Sequence, residues 1–260
     1  MAGNLYLTDG PAQRLYSIES GAVAVNVAMP TSQGPLAISG STIRTLGRTN
    51  NVTGSVYTLS GSITGTTPSY SLSGGPLFLD GTTDGVFNYA MEFNTSTVYR
   101  FNLDWSSPAI LFPANATTGR RSGITYDPTS DCLWVTGIDG AAMGRLEKYT
   151  LTGIHLFAIN AGAPAAALAF DHVDQTLWLD ELGTGTIKQY SLAGTFISSI
   201  TVPALAGASI DGAEFAIPEP GISVLWWAGL IALSRARVRG FPTEITETTA
   251  RAEVTNATTN

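Results

Sequence analysis

A short element made of an aromatic residue, any residue and Leu or Ile recurs five times, and it constrains the fold more than any other feature. Its aromatic residues are Tyr16, Tyr57, Phe101, Tyr149 and Tyr190. The intervals between them are 41, 44, 48 and 41 residues, and a Gly-containing turn follows in four of the five copies. Self-similarity at such a period is typical of one supersecondary unit repeated along the chain.

Each repeat is long enough for four short strands, bounded by Gly, Asp, Asn, Thr and Pro. Copies of the predicted second strand are Leu5–Asp9, Leu77–Asp80, Leu133–Val135 and Leu177–Leu179. Four strands per repeat of this length predict an all-β β-propeller of about five four-stranded blades, plus one short C-terminal hydrophobic helix. A β-sandwich with regular hairpins is the alternative. In the second repeat, residues 39–75 are rich in Ser, Thr and Gly, and their strands cannot all be placed.

The repeats resemble those of NHL-like β-propellers, in which a strand, an Asp turn, a strand and a Gly turn follow one another. Residues 5–18 match this order, with Leu5-Tyr6-Leu7-Thr8-Asp9 followed by Arg14-Leu15-Tyr16-Ser17-Ile18, and residues 177–194 match it again. The resemblance covers residues 4–205 and implies the fold rather than an activity.

The sequence begins inside a predicted blade, at its second strand. We therefore expect either an open edge in the first blade or a strand borrowed from the C-terminal side of the ring. Residues 1–6 also contain no basic segment and no apolar run of a secretion signal. A start codon assigned too late, or a gene fragment, is the simplest explanation.

Charge and cysteine content exclude several classes of function. Only 13% of residues are charged and the net charge is −7, with no basic block, so nucleic-acid binding is not expected. The single cysteine, Cys132, excludes an internal disulfide or a thiolate cluster, and its apolar surroundings predict a buried, inert thiol.

Residues 216–240 differ from the repeats and contain three parts in a fixed order. Pro218-Glu219-Pro220 is followed by an apolar run over 221–234 and then by Arg235, Arg237 and Arg239. This order resembles the PEP-CTERM sorting signal. The resemblance implies export from a Gram-negative cell and processing by an exosortase-type membrane peptidase. The predicted organisation is a propeller over 1–215, a sorting and transmembrane segment over 216–240, and a Thr-rich, disordered tail over 241–260. Such signals normally end near the arginines, so this tail departs from the pattern.

The apolar run is short for a membrane span. Its main members are Gly221, Leu225, Trp226, Trp227, Leu230 and Leu233. Fourteen residues form a helix of about 21 Å, against a hydrocarbon core of roughly 30 Å. The arginines behind it favour a cytoplasmic C-terminal end. We expect a temporary membrane anchor, with a helix packed on the propeller as the alternative.

No motif for catalysis or nucleotide binding is present, and neither His155 nor His172 has metal-ligand spacing. Five carboxylates follow strands that are equivalent in the predicted alignment, and they are the candidates for a channel site: Asp9, Asp80, Asp139, Asp180 and Glu181. Their oxygens would suit Ca²⁺ if they converged on one face of the ring. The alternative is that each Asp only caps a hairpin turn. The strand aromatics Tyr6, Phe78, Trp134 and Trp178 are predicted to pack between blades.

Three hypotheses of function follow. The first is a non-enzymatic exported protein, sorted to the cell surface or extracellular matrix, whose propeller binds an exopolysaccharide or a surface protein and needs no cofactor. The second is a lactonase-like propeller hydrolase that uses a central Ca²⁺ ion. The third is a cytosolic fragment that is never exported.

Overall fold

The computed structural model describes residues 3–216, which form five sheets of four antiparallel strands each. The first sheet has β1 (Leu5–Asp9), β2 (Arg14–Glu19), β3 (Ala22–Ala28) and β20 (Ile210–Phe215). The second has β4 (Gln33–Ser39), β5 (Thr42–Gly47), β6 (Gly54–Thr58) and β7 (Ile63–Thr67). The third has β8 (Phe78–Thr83), β9 (Asn88–Glu92), β10 (Thr97–Phe101) and β11 (Ala109–Pro113).

The two remaining sheets continue the pattern. The fourth has β12 (Arg121–Asp127), β13 (Cys132–Gly137), β14 (Arg145–Thr150) and β15 (His155–Asn160). The fifth has β16 (Ala165–Asp171), β17 (Thr176–Glu181), β18 (Thr186–Ser191) and β19 (Phe196–Thr201). Two single 3₁₀ turns, Gly140–Ala142 and Pro203–Leu205, lie in connections.

The five sheets are blades of a closed β-propeller. The innermost strands β20, β4, β8, β12 and β16 each contact the next, and β16 contacts β20 to complete the ring. The first blade is closed by β20, which pairs antiparallel with β1 and places Phe215 opposite Leu5. The predicted fold class is therefore confirmed, and so is the borrowed strand. Pairing of an early and a late strand in one sheet ties the ring together without an exposed inner edge.

The five repeated aromatics all lie in the third strand of a blade, as the repeat predicts. The Gly that follows is needed because the turn to the fourth strand passes through the left-handed region. Gly61, Gly153 and Gly194 have φ of +84°, +84° and +89°, and each donates its N–H to the carbonyl three residues earlier. In the third blade Trp105 takes this position with φ +67°, and its indole is buried in the core.

The hydrophobic core lies between blades, where side chains from facing sheets interdigitate. The predicted inter-blade aromatics Tyr6, Phe78, Trp134 and Trp178 are each at most 1% exposed. Trp178, for example, packs with Leu5, Phe215 and other residues of the first blade. Burying both faces of each twisted sheet in this way is what makes the repeat stable.

Two details of the predicted blades need correction. The segment 77–80 is not a second strand, because β8 (Phe78–Thr83) is innermost and the true second strand is β9 (Asn88–Glu92). Innermost strands are buried on both faces, and their sequences therefore show the same apolar pattern as those of second strands. The second blade is also complete, with β5, β6 and β7 formed by the Ser-, Thr- and Gly-rich segment that gave no clear pattern.

The predicted sorting signal, membrane segment and tail, residues 217–260, lie outside the described residues. Within 3–216, no helix has the length and apolar character to span a bilayer.

Candidate functional site

A β-bulge at the same point of every innermost strand shapes the centre of the ring. In each blade the innermost strand has one more residue than the second strand between two paired positions, as between Phe78 and Gly81 in the third blade. A bulge leaves its extra residue out of the ladder and redirects the local backbone. Beside these bulges, backbone N–H groups of β8, β12, β16 and β20 are directed to the centre of the ring.

Asp80, the bulged residue of β8, satisfies four of these N–H groups with one carboxylate. Its Oδ1 accepts hydrogen bonds from the N–H of Gly81 at 2.8 Å and Ala213 at 2.9 Å. Its Oδ2 accepts from Ile124 at 3.0 Å and Leu168 at 2.9 Å. The donors belong to β8, β20, β12 and β16, so one side chain joins the innermost strands of four blades. Asp80 is fully buried.

Two opposing effects act on the pKa of the Asp80 carboxyl. Burial raises the pKa of its carboxyl well above the usual value, while the four N–H donors act in the opposite direction. All four partners are donors, so the ionised carboxylate, which only accepts, uses every one of these bonds. The four N–H donors thus favour the ionised form that burial disfavours, in the way that a nest of N–H groups favours a bound anion.

A second polar layer lies beside Asp80 in the channel. Glu214 is 3% exposed, and its Oε2 has no hydrogen-bond partner among the described residues. Burial raises the pKa of Glu214 well above its usual value; the Thr82 hydroxyl lowers it and the charge of Asp80 raises it. Thr82 Oγ1 in turn accepts the N–H of Tyr126 at 3.1 Å. Glu214 is a site residue that the sequence did not reveal, because it occurs in the closing strand, outside the repeats.

The other four predicted carboxylates lie at one face of the ring, which we call the entry face because the innermost strands begin there. Asp9 and Glu181 end the second strands β1 and β17, and they pair with Ile210 and Ala165 at the start of innermost strands. Asp139 follows β13 at the same face. The structure therefore groups these residues on one face, whereas Asp80 lies within the channel.

The entry-face carboxylates do not form a common cluster. Asp9 accepts from the N–H of Ala12 at 2.9 Å, which is the turn hydrogen bond of the alternative interpretation. Asp139 pairs with Arg120 (Nε to Oδ2, 2.5 Å), and hydrogen bonds from Arg120 lower its pKa. Glu181 pairs with Lys188 at 3.1 Å. Each carboxylate therefore has a separate local role.

Asp180 is the unusual member of this set. It occupies the second-strand position of Thr8 and Thr136, whose hydroxyls donate to carbonyls of the next innermost strand, at Gly34 and Ala165. Asp180 Oδ2 is buried and has no hydrogen-bond partner among residues 3–216. Burial, with a smaller contribution from Glu181, raises the pKa of Asp180 to about 7. A protonated carboxyl can donate a hydrogen bond as those hydroxyls do.

Within residues 3–216, no three His, Cys, Asp or Glu side chains are arranged so that they could hold a metal ion. The predicted calcium ligands are separated: Asp80 is engaged by four N–H donors, and the others are distributed over the entry face. The metal-dependent hydrolase therefore remains a hypothesis that no contact in this part of the chain favours.

Buried ion pairs reinforce the entry face, and sequence reasoning missed them. Arg121 and Glu147 are each 1% exposed and pair at 2.8 Å, between β12 and β14 of one blade. Asp211, the bulged residue of β20, pairs with Arg48 at 2.9 Å. Burial nevertheless raises the pKa of Asp211 to about 7, with Arg48 lowering it and Asp9 raising it. In the sequence, the feature that could have indicated these pairs is a charged residue within an otherwise apolar strand.

The histidines and the cysteine have structural positions. His155 begins the outer strand β15 and packs its ring against Tyr149, with centroids 5.2 Å apart. His172 packs against Phe170 in the same way, and burial lowers its pKa. Cys132 is free and buried in β13, which confirms the predicted buried thiol.

The class of protein is therefore a five-bladed β-propeller with an internally solvated carboxylate at its centre.

No family model and no curated protein matches the sequence. Among solved structures, a chain in the crystal structure of a nidogen/laminin complex has a TM-score of 0.56 and 12% identity, over 84% of this chain and 100% of that one. A protein of unknown function from Bacteroides caccae has a TM-score of 0.49 and 10% identity, over 76% and 73%. A virginiamycin B lyase from Staphylococcus aureus has a TM-score of 0.47 and 16% identity, over 77% and 67%. At such identities, similarity shows the fold alone.

Proposed function

We propose that this chain is an exported, non-enzymatic β-propeller that binds a partner at its loop faces and is sorted through residues 218–239. The observation that supports a binding role rather than catalysis is that the central carboxylate, Asp80, is occupied in holding the ring together. Both oxygens of the central carboxylate are engaged by backbone N–H groups of the ring, so its chemistry serves ring closure. Partner recognition then falls to the loops at the two faces, as is usual for function carried on a rigid scaffold.

The sorting role is supported by the order of three features in the sequence. Pro218 and Pro220 favour an extended backbone that a protease can bind. The apolar run that follows inserts transiently in the inner membrane, and the arginines behind it stay in the cytoplasm. The propeller then lies on the far side, where an exosortase-type peptidase releases it to the cell surface or matrix. Its partner there is an exopolysaccharide or another surface protein.

Mass spectrometry of the C terminus, on protein recovered from a Gram-negative host that has an exosortase-type peptidase, tests the sorting role. We expect the surface fraction to end between Pro218 and Gly221. Replacing Pro218-Glu219-Pro220 by three alanines is expected to abolish this processing. The matched control replaces Pro242-Thr243-Glu244, a similar triplet behind the arginines, and is expected to be processed normally. A chain intact to Asn260 in the cytosol would overturn the proposal.

A further inference from the structure

A cavity of about 250 Å³, lined by both polar and apolar groups, lies between the second and third blades. It opens near Ser39 and Thr83, where the innermost strands β4 and β8 end, so it lies at the face opposite the entry face. Pockets for drug-sized ligands are typically about 300–1,000 Å³, so this one suits a group the size of one sugar ring or amino acid.

The walls of the cavity are held by hydrogen bonds of their own. Trp105 Nε1 donates to the Arg44 carbonyl at 3.1 Å, which fixes the third-blade loop against β5. Asn88 Nδ2 donates to the Leu103 carbonyl at 3.1 Å, and Asp104 Oδ1 accepts the N–H of Ser106 at 2.9 Å. Side chains fixed in this way are pre-organised, which reduces the entropy cost of binding.

Arg44 is the positively charged residue that lines the cavity. Its guanidinium makes no hydrogen bond or ion pair with any residue in the described range 3–216, although it is half-buried in β5. It lies near enough to Asp104 to contribute to the lowered pKa of that carboxyl, for which the hydrogen bond with Ser106 is the main cause. A guanidinium presents a planar fork of donors that matches a carboxylate.

The remaining polar groups of the cavity can accept hydrogen bonds from a ligand. The carboxylate of Asp104 and the amide oxygen of Asn88 are acceptors, and the Ser39 hydroxyl at the mouth is both a donor and an acceptor. A ligand that fits this set has one carboxylate for Arg44 and several hydroxyls for the acceptors. A simple anion such as phosphate would supply the first but lacks the ring hydroxyls that would donate to Asp104 and Asn88.

We propose that this cavity binds a uronic-acid residue of an acidic polysaccharide, with the carboxylate on Arg44 and ring hydroxyls on Asp104 and Asn88. The proposal rests on the binding role proposed above and names its ligand class. The exposed side chain of Leu103 offers a small apolar surface beside these polar groups for the sugar ring.

Calorimetric titration of the full chain with D-glucuronate, and separately with D-glucose, tests the assignment. Glucuronate is expected to bind at least tenfold more tightly than glucose. Arg44→Gln is expected to remove this preference, and Arg44→Lys to retain part of it. The matched control is Arg100→Gln, since Arg100 stacks on Phe87 away from the cavity and its loss is expected to leave binding unchanged. Melting temperatures of all variants establish that they are folded.

Several outcomes would overturn the proposal. Equal binding of glucuronate by wild type and Arg44→Gln, or equal binding of glucose and glucuronate, would remove Arg44 from the site. Tighter binding of alanine or of inorganic phosphate would assign the cavity to another ligand class. These failures would leave C-terminal processing unchanged, whereas failure of the sorting role would change the C terminus and leave glucuronate binding intact.

Discussion

Asp80 gives the sharpest test of how the ring is held together. Its carboxylate is the common acceptor for N–H groups of four innermost strands. Asp80→Ala removes the acceptor, and a water in the vacated space has two lone pairs for four donors. Asp80→Asn keeps the size of the side chain but directs an NH₂ group towards two N–H donors.

The expected loss of stability follows from the number of unsatisfied groups. Each buried N–H left without an acceptor costs about 1–3 kcal/mol, and at least two remain in Asp80→Ala. The relief of burying the charge offsets part of this, so we expect a net loss of about 3 kcal/mol in the free energy of unfolding. For a domain of this size, that lowers Tm by about 6–12 °C. Asp80→Asn is expected to lose at least half as much.

Urea unfolding followed by tryptophan fluorescence gives the required free energies, and amide hydrogen exchange localises the effect. We expect the N–H groups of Ile124, Leu168 and Ala213 to lose protection before the outer strands do. The matched control is Asp104→Asn, an exposed loop carboxylate, for which the change should stay below about 0.5 kcal/mol. An Asp80→Asn protein within 0.5 kcal/mol of wild type would refute the role assigned to the central carboxylate.

Two other predictions concern charges at the entry face. The pKa of Asp180 is about 7 in the folded chain and near 4 when unfolded, so its contribution to stability is present below pH 4 and lost as pH rises through 7. Asp180→Asn should therefore gain about 2–3 kcal/mol relative to wild type between pH 5 and 8, measured by urea unfolding at each pH; a constant difference would contradict this. Arg121→Met removes the buried cation that pairs with the Glu147 carboxylate and should cost about 3 kcal/mol, since hydrogen bonds from Thr117 and Tyr149 remain. The double variant Arg121→Met/Glu147→Met should recover at least half of that loss in the same assay, and a double variant less stable than the single one would contradict the pairing.

The blades themselves were predictable because local rules define them. The third strand needs an aromatic residue for the inter-blade core, and the turn after it needs a residue that tolerates positive φ. Both requirements recur in the sequence as aromatic-x-Leu followed by Gly, as at Tyr149 and Gly153. The third blade departs from this sequence pattern, because Trp105 replaces the Gly. Trp105 adopts the left-handed conformation, and its indole is buried in the core.

The candidate site was predictable only in part, because it depends on which strand a residue occupies. Leu77-Phe78-Leu79-Asp80 resembles the second strands at Leu5 and Leu177, and the sequence therefore places Asp80 with the entry-face carboxylates. An innermost strand has the same apolar pattern, so the pattern alone does not distinguish the two. Glu214 lies in a strand outside the repeats, and no periodicity indicates that it approaches Asp80.

By itself, the sequence determined a five-bladed ring of four-stranded sheets, the packing of its aromatics between blades, and the presence of a distinct C-terminal element. These features follow from local strand and turn preferences repeated about every 44 residues. Only the tertiary structure decided that one carboxylate joins four innermost strands, that β20 completes the first blade, and that Arg44 lines a cavity between two blades. Each of these depends on contacts between residues far apart in the chain, such as Asp80 and Ala213, 133 positions apart, and Leu5 and Phe215, paired from opposite ends of the propeller, which local preferences do not encode.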